Sequence, residues 1–218
     1  MYISNMMDNI IHGQIPNYNL YGEMGDLPDV IHCEAISTRS ILHDWNIEPH
    51  RHNRLYQFFL VQSGGGEYHI DGRQGKLKPP QILNIPPRIV HGFTFITGTQ
   101  GWVITIPVEV LDQSIGDNLR PHLDMPFETD PTSGLTALFD EIAREHASRR
   151  FGRAHILQSL ISLIAGQLVR INAEKGQGKI LKPAHHSSEN SNYCWNSIFA
   201  TIGPRLNMRT HRQCHQPI

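Results

Sequence analysis

The stretch Glu48-Pro49-His50-Arg51-His52-Asn53-Arg54-Leu55-Tyr56-Gln57-Phe58-Phe59-Leu60-Val61-Gln62-Ser63-Gly64 decides the reading of this chain. Side chains alternate faces along a strand, so His50 and His52 point to one side together. Two adjacent imidazoles, with a polar residue five positions on, could coordinate a metal once a third histidine arrives from elsewhere. His91, in Asn84-Ile85-Pro86-Pro87-Arg88-Ile89-Val90-His91-Gly92-Phe93, is the candidate. Strict alternation turns Gln57 to the opposite face, so the motif needs a bend or bulge near Asn53.

Outward from this stretch, the text from Val30 to about Val108 is a series of short apolar runs separated by turn residues. Ile31–Ile36, Tyr56–Val61, Gly66–Ile70, Gln81–Ile85, Phe93–Ile96 and Gly101–Ile106 read as strands. Ser63-Gly64-Gly65, Asp71-Gly72, Lys78-Pro79-Pro80 and Thr97-Gly98-Thr99 read as the turns between them. Strands this close, with no helices between them, indicate an antiparallel barrel or sandwich of jelly-roll type rather than a βαβ sheet. After Pro107 the period changes. Val108–Ile115 suits a short helix, and Thr132-Ser133-Gly134 caps a helix over Leu135–Ser148. A second long helix fits Arg153–Lys175, with a wide apolar stripe of Ile156, Leu157, Leu160, Ile161, Ile164, Leu168 and Ile171. The expected fold class is therefore α+β, an antiparallel β-barrel followed by an α-helical hairpin. The expected division is an N-terminal arm over 1–29, the barrel over 30–108, a helical region over 109–176 and an irregular tail over 177–218.

The 218 residues carry 19 Lys+Arg against 20 Asp+Glu, a net charge of −1, so the whole chain has no electrostatic footprint for nucleic acid. No apolar run approaches the ~18 residues of a membrane span, and the N-terminus lacks a secretory signal pattern. The three cysteines are widely spaced and lack a CxxC pair, which argues against a disulfide framework or a zinc ribbon. A cytoplasmic protein is expected. The unusual count is 14 His, and it sends attention back to the His50-Arg51-His52 stretch.

That stretch resembles the first motif of the cupin superfamily, His-x-His, four residues, Glu, six residues, Gly, at His50, His52 and Gly64. Gln57 stands where the family has Glu. The second motif, Pro-x-Gly-x-x-His, is matched by Pro86 and His91, with Arg88 in place of Gly and Phe95 in place of a closing Asn. A cupin barrel after a short arm and before two helices is similar to the sensor domain of AraC-family transcriptional regulators. Ser40-Ile41-Leu42-His43-Asp44-Trp45-Asn46-Ile47-Glu48-Pro49-His50-Arg51-His52 and Gln81-Ile82-Leu83-Asn84-Ile85-Pro86-Pro87 resemble the subgroup that responds to p-hydroxybenzoate-like aromatic acids. The resemblance covers about residues 15 to 175. It implies a small organic acid effector, a homodimer through the second long helix, and DNA binding only through a C-terminal pair of helix-turn-helix units. Pro183–Ile218 supplies three Arg, four His and one Glu, with no pair of amphipathic helices. The chain is thus expected to lack an intact DNA-binding domain, as a truncated or frameshifted reading frame would.

Three readings of His50, His52, Gln57 and His91 stay open. They could hold a divalent metal through His50, His52 and His91, although a neutral Gln is a poorer ligand than a carboxylate. They could form the polar wall of an organic-ligand pocket, with the imidazoles donating to a carboxylate, since a pocket needs only a few placed polar groups. They could also be hydrogen-bonded within the barrel and inert. The ligand pocket is preferred, with no resident cofactor. Arg54, Phe59 and Trp102 join the candidate ligand contacts, Arg54 through its planar fork and the aromatics through the strand faces. Phe59 shares a face with Gln57, and Tyr56 and Phe58 share the other. Two functions follow, a non-enzymatic effector-sensing domain or a metal-dependent cupin enzyme acting on a small acid. The enzyme would want a Glu at position 57.

Overall fold

The computed structural model describes residues 30–174 and the backbone of 179–180. The expected arm over 1–29 and the tail beyond 180 lie outside the described residues. Ten strands are described: β1 (His32–Ala35), β2 (Asn46–His50), β3 (Leu55–Ser63), β4 (Gly66–Ile70), β5 (Arg73–Leu77), β6 (Gln81–Ile85), β7 (His91–Phe95), β8 (Gln100–Pro107), β9 (Phe127–Thr129) and β10 (Lys179–Ile180). Four α-helices accompany them: α1 (Ile36–Ser40), α2 (Val108–Ser114), α3 (Ser133–Ala147) and α4 (Arg153–Glu174). The strands form two antiparallel sheets, one in the order β1-β8-β3-β6-β9-β10 and one in the order β2-β7-β4-β5. Neither sheet closes on itself among the described residues. The expected barrel is corrected to two open sheets, and α+β holds.

The central strands explain the layering. All of Leu55–Val61 in β3 is buried, because apolar material covers both of its faces. Tyr56, Phe58 and Leu60 join Ile104, Ile106, Leu135, Phe139, Leu157 and Ile161 in a core between the six-stranded sheet and the helices. Phe59 and Val61 join Leu83, Ile85, Tyr68, Ile70, Phe93 and Phe95 in a second core contributed by both sheets. The alternation read from the sequence places these two sets correctly. Strands of the four-stranded sheet such as β5 alternate exposed and less exposed positions, as a sheet with one wet face must.

Helix α3 begins where its cap dictates, with Leu135 N donating to Thr132 Oγ1 at 3.2 Å. It buries Leu135, Phe139 and Ile142 at helical spacing. Helix α4 has 22 residues and by length and composition is apolar enough to cross a membrane, which corrects the expectation that no stretch qualifies. Its residues Leu157, Ile161, Ile164, Ala165 and Leu168 are buried against the core, whereas Ile156 and Leu163 of the same helix are exposed. Strand β5 was not expected, since Arg73-Gln74-Gly75-Lys76-Leu77 offers a single large apolar residue. Its pairing with β4, Gly66 to Leu77 through Ile70 to Arg73, makes it a strand. Asn84 explains the position of β9. Its Nδ2 donates to the carbonyls of Leu123 at 3.0 Å and Met125 at 2.9 Å, drawing that segment alongside β6.

Candidate functional site

The bend that the motif requires is a change of sheet. Strand β2 ends at His50, residues 51–54 cross over, and β3 continues from Leu55 in the facing sheet. His50 pairs with His91 at the start of β7, and the register shifts between Ile47 and His50. His50, His52 and His91 are thereby brought together, while Gln57 lies on β3 of the six-stranded sheet, on the same strand face as Phe59. The backbone of Arg88 braces the crossing. Arg88 N donates to His52 O at 2.7 Å, and Arg88 itself adopts φ 69°. This left-handed conformation is the one that glycine tolerates best, which accounts for the Gly of the motif that Arg88 replaces. Gly64, with φ 86°, turns the chain out of β3, and a Cβ there would overlap Thr99 Oγ1.

All three imidazoles are buried, with relative exposures of 2%, 2% and 1%. Their ring centroids lie 5.0 Å (His50–His52), 4.4 Å (His50–His91) and 5.5 Å (His52–His91) apart. One ring nitrogen from each lies within 4.8 Å of the other two. His50 Nδ1 donates to Glu48 O at 2.8 Å and His91 Nδ1 donates to Ile89 O at 2.9 Å. A carbonyl can only accept, so in the neutral ring the proton is on Nδ1 and Nε2 carries the lone pair. Burial pushes His50 down to about 4 and, with the neighbouring His50 and His52, holds His91 well below the usual imidazole range. Both are neutral near pH 7. His50 and His91 therefore present acceptor nitrogens, which suit a metal cation or a donor group on a ligand. They do not suit a bare carboxylate. Gln57 Nε2 donates to Thr105 Oγ1 at 3.3 Å. The buried atoms Gln57 Oε1 and His91 Nε2 have no hydrogen-bond partner among the described residues.

An apolar wall adjoins these acceptors. Phe59 lies 6.5 Å from His91 and 4.7 Å from Phe93 between ring centroids, and Phe93 stacks on Phe95 at 5.2 Å and 12°. Phe93 and Phe95 were not among the sequence candidates, although alternation from His91 along one strand face points to both. The structure does not bring Arg54 or Trp102 to this group. Arg54 is exposed and ion-paired with Glu109 at the start of α2. Trp102 lies on the helix-facing side of β8, where its Nε1 donates to Asp140 Oδ1 of α3 at 2.8 Å. Both therefore lie away from the histidine cluster.

The family model of the AraC-like ligand binding domain matches residues 36–165. The chain is also 29% identical over 123 residues to YobQ, an uncharacterized HTH-type transcriptional regulator of Bacillus subtilis. That stretch covers 55% of this chain and 46% of YobQ, so the chain spans less than half the length of this curated relative. Among solved structures, ToxT of Vibrio cholerae with a bound unsaturated fatty acid is 9% identical and has a TM-score of 0.44, covering 73% of this chain and 60% of ToxT. A cupin protein from Bacteroides fragilis is 18% identical with a TM-score of 0.26, covering 41% of this chain and 86% of that one. The family match spans more than half of the sequence and includes the whole histidine cluster with both of its motifs, so the chain belongs to the AraC-like ligand-binding domain family.

Proposed function

We propose that this chain is the effector-sensing part of an AraC-type transcriptional regulator. In this reading a small aromatic acid with a hydroxyl group, of the p-hydroxybenzoate type, binds between the sheets beside His50, His52, Gln57, His91 and Phe59. The observation that carries it is the pairing of buried acceptors, His91 Nε2 and Gln57 Oε1, with a wall of Phe59, Phe93 and Phe95. A phenol donates one hydrogen bond and offers one flat apolar ring, which is the chemistry these groups complement. Sensing then works by population shift. The effector binds one arrangement of arm, sheets and helices better than another and so redirects attached DNA-binding units. The division into arm, sheet region, helical hairpin and tail, the homodimer through α4 and the cytoplasmic location belong to the same proposal.

Thermal-shift titration with phenolic acids tests it. A ligand at about 100 Kd adds about 2.7 kcal/mol of stability, and His52→Ala should reduce that gain while leaving the protein folded. An equal ligand response in parent and variant refutes the pocket.

A divalent cation is a second reading, favoured by the convergence of three ring nitrogens. The residues fit it, because His50 and His91 are neutral and oriented by backbone carbonyls, as metal-bound imidazoles are. His50, His52 and His91 would hold the ion, which would supply positive charge to bind an acid's carboxylate. The cluster contains no carboxylate of its own, so the sensing role is preferred over the enzymatic one. Elemental analysis of purified protein, parent against His91→Gln, decides between the two occupants.

A further inference from the structure

Away from the histidines, a cleft of about 450 Å³ opens at the side of the domain where edge strand β5 faces β6 and β9. Arg73, Lys76 and Lys78 from β5 and the turn that follows line it, together with Tyr68, Gln81 and Glu128. A few placed polar groups set what a site accepts, and the charged groups here are mainly cationic, which selects for an anionic occupant.

The floor of the cleft is built. Glu128 Oε2 accepts from Tyr68 Oη at 3.0 Å and from Gln81 Nε2 at 2.9 Å. Gln81 Oε1 in turn accepts from Lys78 N at 3.0 Å, which ties the β5–β6 turn to the same acid. Tyr68 crosses β5 at Gly75, its partner in register, and a Cβ at that position would overlap the phenol ring. The glycine is therefore what lets the phenol reach across to the other sheet. Three cations and one carboxylate leave a positive excess on a concave surface, and the carboxylate is already engaged by two donors. Among the described residues, Arg73, Lys76 and Lys78 form no ion pair. Like charges in a concavity focus the potential and attract anions, and an Arg fork adds bidentate recognition of carboxylate or phosphate.

We infer that the cleft between β5 and the β6–β9 edge binds a small polyanion, a molecule with two or more carboxylate or phosphate groups, independently of the histidine pocket. The competing explanation for basic residues here is protection of an exposed sheet edge, which needs no ligand.

The full chain is titrated by calorimetry and by thermal shift with citrate and, separately, with pyrophosphate, at constant ionic strength set by sodium chloride. Saturable binding of either probe is expected, and its identity reports which anionic group is preferred. Arg73→Gln, and separately the pair Lys76→Gln and Lys78→Gln, should weaken it by about tenfold or more. Circular dichroism confirms that the variants are folded, and His52→Ala should bind as the parent does. That last arm separates this site from the proposed effector pocket, so either can fail alone. Absence of saturable binding, the same response to chloride, unchanged affinity in both basic-residue variants, or loss of binding in His52→Ala would each overturn the inference.

Discussion

Lowering the pH should destabilise this domain through His50 in particular. Burial holds its folded-state pKa at about 4, against 6.5 for the unperturbed group. The unfolded chain therefore takes up the proton first as pH falls, and the folded state loses ground from about pH 6.5 down to about pH 4. At about pH 5 an unfolded imidazole is almost fully protonated and the folded one is not, which costs the native state about 2 kcal/mol relative to about pH 7.5. His91, also displaced downward, acts in the same direction. A domain of this size is stable by only about 5 to 15 kcal/mol, so the effect is large. The assay is urea unfolding at the two pH values for the parent and for His50→Gln, which keeps a polar side chain but cannot titrate. Carboxylates that titrate over the same interval are common to both proteins and cancel in the comparison. The parent should lose about 2 kcal/mol more than the variant. Equal losses, within about 0.5 kcal/mol, would refute a buried neutral imidazole at position 50.

Arg88→Gly should stabilise the domain by up to about 1 kcal/mol in the same assay, because φ 69° strains any residue with a Cβ. Gly101→Ala should cost more than about 3 kcal/mol or prevent folding, since φ is 154° and a Cβ would overlap the Leu60 carbonyl on the neighbouring strand. Yield of soluble protein and thermal unfolding check this. Leu163→Glu should convert a dimer to monomers in size-exclusion chromatography with light scattering while leaving the melting temperature nearly unchanged, since Leu163 is 51% exposed. Ile164→Glu, one residue on and fully buried, should instead unfold the protein. A parent that is already monomeric at tens of micromolar ends the dimer proposal.

What could be read in the sequence was what covalent geometry repeats locally. The period of two along Tyr56–Val61 separated Phe59 from Tyr56 and Phe58, and the structure sends them to different cores. Thr132 and the spacing of Leu135, Phe139 and Ile142 announced α3, because a cap and a helical stripe involve only neighbours along the chain. The two histidine motifs were visible for the same reason. Tertiary structure decided everything that depends on which distant segment lies opposite. Residues 51–54 carry the chain from one sheet to the other, so the histidines and Phe59 meet across two layers and not along one strand. Strand β5 exists because β4 pairs with it, and the wide stripe of α4 is split into a buried side and an exposed side by what packs on it. Trp102 lies on the helix-facing side, where Asp140 of a helix far along the chain meets its indole nitrogen. The chemistry of the imidazoles was settled in the same way. Burial removes the charge of His50, a consequence of long-range packing that no local pattern encodes, while the carbonyls that accept the Nδ1 protons of His50 and His91 lie two residues back in the chain.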